Sequence, residues 1–356
     1  ALRESAKIPT SVGRVPLKMS VGLHSGDIHL FRGGSSHHEL IVTGPGPTKT
    51  TEMEGTADAG EIVISAALRK RLPSGSAETR KGRGYILSWR QGRTDPLGIS
   101  HRLPVDPEEL IACVPVALRD HLAATVQESE HRQANIGFVK FKGVDALMAD
   151  EGPEAVADAL DALMATIQDA VDADGVTFLA TDIDADGGKA ILATGVPVTQ
   201  EDDEGRILRA TRAIADADLR LARRIGVNRG HVFAGAIGTP FRATYTVMGD
   251  TVNLAARLMA AAPNGGVYVS PAVTSRSRTL FATDELEPFA VKGKSDLVHA
   301  VALGAELGDR EDSLRRELPF FGREADVAGL AEVVEDGLAG QGAVALVVGE
   351  AGMGKT

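Results

Sequence analysis

Two stretches of this chain repeat one pattern at a fixed distance. Val21-Gly22-Leu23-His24-Ser25-Gly26-Asp27-Ile28 and Ile225-Gly226-Val227-Asn228-Arg229-Gly230-His231-Val232 lie 204 positions apart. Both alternate like strands, with Gly22 against Gly226 and Gly26 against Gly230. After a one-residue indel the offset becomes 205, and Gly44 falls on Gly249. Gly60 to Ser65 then falls on Gly265 to Ser270, and Lys81-Gly82-Arg83-Gly84 answers Lys292-Gly293-Lys294-Ser295. Ordered blocks at a fixed offset are the mark of a duplicated unit. The chain must therefore fold as one complete copy preceded by the C-terminal half of another, with residues 1–90 as that half.

The run Tyr245 to Leu258 reads as a strand end, a tight turn at Gly249-Asp250 and a helix. Asp250 is a candidate N-cap, since its carboxylate can accept from an orphan backbone N–H. Asn253 and Arg257 are four apart and share a helix face. An amide and a guanidinium near a helix N-terminus suit a ribose and a polyphosphate. The first copy has Thr48 where Asn253 stands and Glu52 where Arg257 stands. An acid there repels a triphosphate, and Pro45 and Pro47 argue against a regular helix start.

Net charge is −11, against a nucleic-acid binder, whose footprint is basic. Hydrophobic residues make up 43% and charged residues 24%, enough to bury a core. Cys113 is the only cysteine, which excludes an intrachain disulfide and a thiolate cluster and fits a reducing, cytoplasmic setting. No apolar run reaches the ~18 residues of a membrane span. The chain opens without Met and stops at Gly354-Lys355-Thr356, and reads as part of a longer protein.

Residues 91–133 form a linker broken by prolines, with a helix expected from Val116 to Glu130. A domain over 134–304 follows. It starts with a buried strand at Ile136–Phe141 and a helix at Pro153–Ala173 whose apolar stripe has helical spacing. Strands at Val176–Ala180 and Lys189–Ala193 then flank a turn at Gly187-Gly188, and a helix is expected over Glu204–Arg224. This order predicts an α+β, ferredoxin-like core, present as a pseudo-symmetric tandem pair. After a linker at 305–320, residues 321–356 read as the start of an α/β P-loop NTPase. A strand at Ala343–Val348 leads into Gly349, Gly352, Gly354, Lys355 and Thr356, the G-x-x-x-x-G-K-T phosphate loop. Its N–H groups cradle phosphates, Lys355 reaches the β and γ groups and Thr356 holds Mg²⁺.

The Tyr245–Leu258 run resembles the signature of class III nucleotidyl cyclases, the adenylyl and guanylyl cyclases. Two such copies ahead of a Phe-Gly-Arg-Glu-led ATPase of the AAA/STAND type resemble the soluble, bicarbonate-sensing adenylyl cyclases and their bacterial relatives. The resemblance implies the same ferredoxin-like fold and a site between the two copies. It implies that Asn253 orients the ribose and Arg257 stabilises the transferring phosphoryl group. Thr246 and Asp186 would face the base, and Lys292 or Lys294 the triphosphate. An Asp at position 186, where adenylyl cyclases carry Lys, leaves guanine open beside adenine. The family holds two Mg²⁺ (or Mn²⁺) ions on two Asp residues. In the second copy these places fall at Lys140 and near Ala190, so the ligands are expected from the first copy's other half and none is visible in these residues. The implied reaction turns ATP into 3′,5′-cyclic AMP and pyrophosphate, with these 356 residues alone inactive. The rival is a degenerate pair that binds nucleotide as a sensor and regulates the downstream ATPase.

Other signals read as structural. Asp182, Asp184, Asp186 and Gly187 mimic a calcium loop, but its twelfth position is Ala193 where a bidentate Glu is required. Arg229 is a candidate to line the cleft. The His37-His38 pair reads as exposed loop and Cys113 as buried and inert.

Overall fold

The computed structural model describes residues 8–11, 13–15, 18–88, 106–123, 129–239, 242–290, 297–310, 323–342 and 344–347. They fall into two compact units, Ala1–Asp309 and Arg310–Thr356.

The first unit opens with a ribbon of β1 (Ile8–Thr10) and β2 (Gly13–Val15). β3 (Val21–Leu23), the hairpin β4 (His29–Gly33) and β5 (Glu39–Thr43), α1 (Pro45–Thr56) and β6 (Ile62–Ile64) follow. Then come α2 (Ala66–Arg69), β7 (Arg80–Lys81), β8 (Gly84–Ile86), and the linker helices α3 (Pro107–Ala112) and α4 (Val116–Ala123). The βαββαβ core is β9 (Glu130–Lys142), α5 (Val144–Asp174), β10 (Thr177–Asp184), β11 (Gly187–Thr194), α6 (Asp203–Asp216) and β12 (Ala222–Thr239). It continues with β13 (Arg242–Met248), α7 (Asp250–Ala261), β14 (Val267–Val269), α8 (Pro271–Thr274), β15 (Thr279–Glu285) and β16 (Val301–Asp309).

The main sheet has the order β10-β11-β9-β12-β14-β16-β15, with β13 paired to β12. Side chains alternate between its faces. Val139, Phe141, Ile225 and Val227 pack with α5 and α6, where Leu160, Leu163, Met164 and Ile167 are fully buried. Each such side chain contributes about 1.5–3 kcal/mol. Ile136, Phe138, Val232 and Ala234 face the other way, against Ala255 and Met259 of α7 and Leu118 of α4. Phe31 and Ile41 of the β4–β5 hairpin join the α5 side of the core.

Two parallel strand pairs have the same register. Val21, Gly22 and Leu23 run parallel to Ile62, Val63 and Ile64; Ile225, Gly226 and Val227 run parallel to Val267, Tyr268 and Val269. His29 pairs with Thr43 as Phe233 pairs with Met248. A side chain at Gly22 would strike Thr50 O and Glu54 N, and one at Gly226 would strike Ala255 O and Met259 N. Both glycines let a helix lie directly on its strand.

Several sequence expectations shift. Pro45 and Pro47 do not prevent α1, because the first helical turn tolerates proline. The helix expected to Arg224 ends at Asp216. Arg223 is buried and donates to Ile214 O (2.6 Å) and Ala215 O (3.1 Å), closing the last turn of α6. Of the linker helix, Val116–Ala123 is described, and Glu130 already belongs to β9. α5 starts at Val144 and breaks at Gly152-Pro153. The β10–β11 turn comes earlier than expected, with Asp186 itself left-handed at φ 60. His37 is buried rather than exposed, edge-on to Phe178 at 4.9 Å. Cys113 is exposed at the end of α3 rather than buried.

In the second unit, α9 (Glu324–Leu338) is an amphipathic helix. Residues 344–347 form no strand, and Val344 and Leu346 are exposed. A P-loop strand draws its hydrogen bonds from neighbouring strands, and the described residues of this unit contain none. Gly349, Gly352, Gly354, Lys355 and Thr356, expected to form a phosphate loop, lie outside the described residues.

Candidate active site

β13 delivers the chain to Gly249, whose φ of 138° is open to glycine and strained for other residues. Gly249, not Asp250, is the N-cap, and Asp250 is the first helical residue. Thr251 Oγ1 donates to His231 O (2.8 Å), and Asn228 Nδ2 donates to Thr251 O (3.0 Å). These bonds pin the start of α7 to β12. Asn228 is 4% exposed, and its role escaped the sequence reading although it lies in the repeated block.

Ala255, Leu258 and Met259 bury one side of α7. Asn253 is exposed and Arg257 half-buried. Nη1 of Arg257 is shielded from solvent yet has no hydrogen-bond partner. A guanidinium nitrogen left without an acceptor costs free energy unless an anion supplies one. Thr246 pairs with Gly235 across β12. Its neighbour Tyr245 is buried and held by the ring of His121 from α4, edge-on at 4.7 Å. Burial raises the Tyr245 phenol above its ordinary pKa.

Residues 126–303 match the family described as "Adenylate and Guanylate cyclase catalytic domain". The chain belongs to this cyclase family. It is 38% identical over 81 residues to an aggregation-specific adenylate cyclase of Dictyostelium discoideum, covering 23% of this chain and 6% of that protein. It is 34% identical over 136 residues to an uncharacterized protein of Mycobacterium tuberculosis, covering 36% of this chain and 24% of the relative. The chain thus spans a quarter or less of these relatives. Among solved structures, the adenylyl cyclase CyaB of P. aeruginosa aligns at 23% identity with a TM-score of 0.46, over 52% of this chain and 98% of that one. The guanylate cyclase domain of RhGC from Catenaria anguillulae, in complex with GTP, aligns at 20% identity and 0.45, over 50% and 99%.

The remaining expected site residues divide. Asp186 does not offer a free carboxylate to a base. Its oxygens accept from Gly143 N (3.2 Å) and Asp145 N (3.0 Å) and so close the start of α5. Its own N–H donates to Thr48 Oγ1 (2.8 Å). Thr48 is therefore engaged, and Glu52 pairs with Lys49 (2.9 Å) and Arg83 (3.6 Å). Arg229 is held by Glu204 and Gln133. Lys292 and Lys294 lie outside the described residues.

Cyclases of this family use Mg²⁺ or Mn²⁺ with a nucleoside triphosphate. Lys140 and the Lys189-Ala190 pair, which stand at the expected metal places, do not fit such an ion. The residue paired with Lys140 across the sheet is Lys189, one before Ala190. Lys140 Nζ lies 2.8 Å from Asp184 Oδ2, and Lys189 Nζ lies 3.0 Å from Asp182 Oδ2. Burial pushes the Lys140 ammonium below its ordinary pKa, with partial compensation from Asp184. Burial alone would raise the Asp184 carboxyl, but the hydrogen bond and charge of Lys140 hold it below its ordinary value. Among the described residues no three His, Cys, Asp or Glu side chains converge as a metal site. Among them also, no helix is long and apolar enough to cross a membrane.

Proposed function

We propose that residues 126–303 carry the substrate-holding half of an adenylyl cyclase, which turns ATP into 3′,5′-cyclic AMP and pyrophosphate. The ribose 3′-OH attacks the α-phosphorus, and the bond to the pyrophosphate leaving group breaks. The observation that carries this reading is the buried, unpartnered Nη1 of Arg257 on the helix that also holds Asn253. Arg257 stabilises charge as it develops on the transferring group. Asn253 orients the ribose and Thr246 faces the base. Lys292 and Lys294 are proposed phosphate contacts. Asp186 has no part in our reading of the base, because its oxygens cap α5.

We read residues 1–90 as part of a second, degenerate cyclase copy, supported by the matched registers of the two halves. The metal carboxylates would come from that copy's other half, so the 356 residues alone are expected to be inactive. The same reading makes residues 321–356 the start of a P-loop ATPase in a cytoplasmic signalling protein. A sensor without turnover is the second reading, favoured by Lys140 and Ala190, neither of them a carboxylate, at the two places where metal ligands are expected.

The test is cyclic-nucleotide production by the full-length protein with Mn²⁺, offered ATP and GTP separately. Product from ATP supports the adenylyl reading, and product from GTP alone replaces it with a guanylyl cyclase. Nucleotide binding without product from either means a sensor.

A further inference from the structure

Asn135 stands in a row with Thr194 and Arg229 across β11, β9 and β12. The row shares the face of the sheet that carries Val139, Phe141 and Val227 towards α5 and α6, away from α7. There a cavity of about 290 Å³ opens between these strands and the start of α6. Asn135, Asp203, Arg132 and Arg229 are part of its lining. Neither Asn135 nor Asp203 belongs to the site proposed for ATP.

Two acceptors in this cavity lack a matching donor. Asn135 is 2% exposed. Its Nδ2 donates to Thr194 Oγ1 (2.9 Å), which donates in turn to Asp203 O (2.8 Å), so the amide has one orientation. That orientation leaves Asn135 Oδ1 buried without a donor. Asp203 is 8% exposed. Its carboxylate accepts long bonds from Gln200 N (3.2 and 3.3 Å) and a further one from the Gly195 amide. The acids on either side have arginine partners, Asp202 with Arg209 and Glu204 with Arg229. Arg206 acts on Asp203 only from a distance, its guanidinium being bonded to Glu201 O and Asp174 O. Burial raises the Asp203 carboxyl above its ordinary pKa. A buried carboxylate calls for a cation and a buried carbonyl for a donor. One ammonium group supplies both, because it carries a charge and three N–H donors. Arg132 and Arg229 in the same lining repel a second positive charge, which disfavours a polyamine.

We propose that this cavity binds a small molecule through a single primary ammonium group, held by Asp203 and Asn135. The molecule is either a simple monoamine or an amino acid, whose carboxylate would meet Arg132 or Arg229. The cavity lies across the sheet from α7, which carries Asn253 and Arg257, so binding does not depend on turnover.

The experiment is a saturation-transfer NMR titration of the 356-residue chain with propylamine, L-alanine and propionate, at neutral pH and fixed ionic strength. Saturable binding of propylamine or L-alanine is expected, and none of propionate. Asp203→Asn keeps the shape and removes the charge, and Asn135→Ala removes the acceptor; each should weaken binding roughly tenfold. Asp216→Asn makes the same charge change at the far end of α6 and should stay within about twofold of the parent. Thermal melts check the folding of each variant, and the contrast between propylamine and propionate on the parent needs no variant at all. No saturable binding of either amine overturns the proposal, as does propionate binding as tightly as they do. An unchanged affinity in folded Asp203→Asn overturns it too. So does an equal loss in Asp216→Asn, because net charge rather than the cavity would then set the affinity. Tighter binding of L-alanine than of propylamine identifies an amino acid, and equal or weaker binding identifies a simple amine.

Discussion

α1 and α7 are built alike and equipped differently. Each follows a glycine with positive φ, Gly44 or Gly249. Each lies on a strand whose glycine, Gly22 or Gly226, has no room for a side chain. Yet α7 carries Asn253 and an unpartnered Arg257 nitrogen, whereas α1 carries Thr48 and Glu52, both bonded to protein. Glycines that permit close packing are held by the fold, because any side chain there collides with backbone. Polar residues at the outer positions of a helix are free to change role without disturbing that packing.

The largest effect expected is steric. Gly226→Leu and Gly22→Leu should each cost more than about 4 kcal/mol, since backbone has to move in both cases. Urea denaturation measures this, and a cost at one glycine only would break the packing equivalence. Lys140→Met removes the 2.8 Å partner of the Asp184 carboxylate, which keeps Ala185 N (2.7 Å) and the more distant Lys189 (3.8 Å), and should cost about 2 kcal/mol. Asp186→Ala removes the side-chain acceptor of Asp145 N, while Gly143 N keeps the Asp186 carbonyl (3.1 Å), and should cost about 1 kcal/mol. Thr48→Val should cost about 1 kcal/mol, the worth of one hydrogen bond. An Asp186→Ala variant of full stability that changed the preference between ATP and GTP would return Asp186 to the base.

The smallest effect is in pH dependence. The folded-state pKa of Asp184 is depressed, so its contribution to stability is present above the ordinary carboxylate value of about 4. It is lost as pH falls through the lower folded value. Acid unfolding of Lys140→Met should therefore show a shallower decline over that window than the parent. Equal slopes would mean that the pair does not couple folding to protons.

Much of this was legible in the sequence because repetition carries register. The offsets of 204 and 205 aligned Val21 with Ile225 and Gly44 with Gly249, and the strands pair accordingly. The four-residue spacing of Asn253 and Arg257 was enough to put both on one helix. What was hidden depends on partners distant in the chain. Lys189 faces Lys140 only through the β9–β11 register. Arg223 looks like one more helical arginine until its bonds to the end of α6 are seen. His37 is buried by Phe178 and α5, which no local pattern announces. Asp186 belonged by motif to a base or a calcium loop, but a left-handed turn aims its oxygens at α5.

The most direct test compares the two helices within one protein: cyclic-nucleotide turnover by the full-length parent, Arg257→Ala and Glu52→Ala, assayed side by side with Mn²⁺ and ATP. Turnover should fall about 10²–10³-fold in Arg257→Ala and stay near the parent's in Glu52→Ala. Equal losses in both variants, or none in Arg257→Ala, would contradict the division into one working and one retired helix.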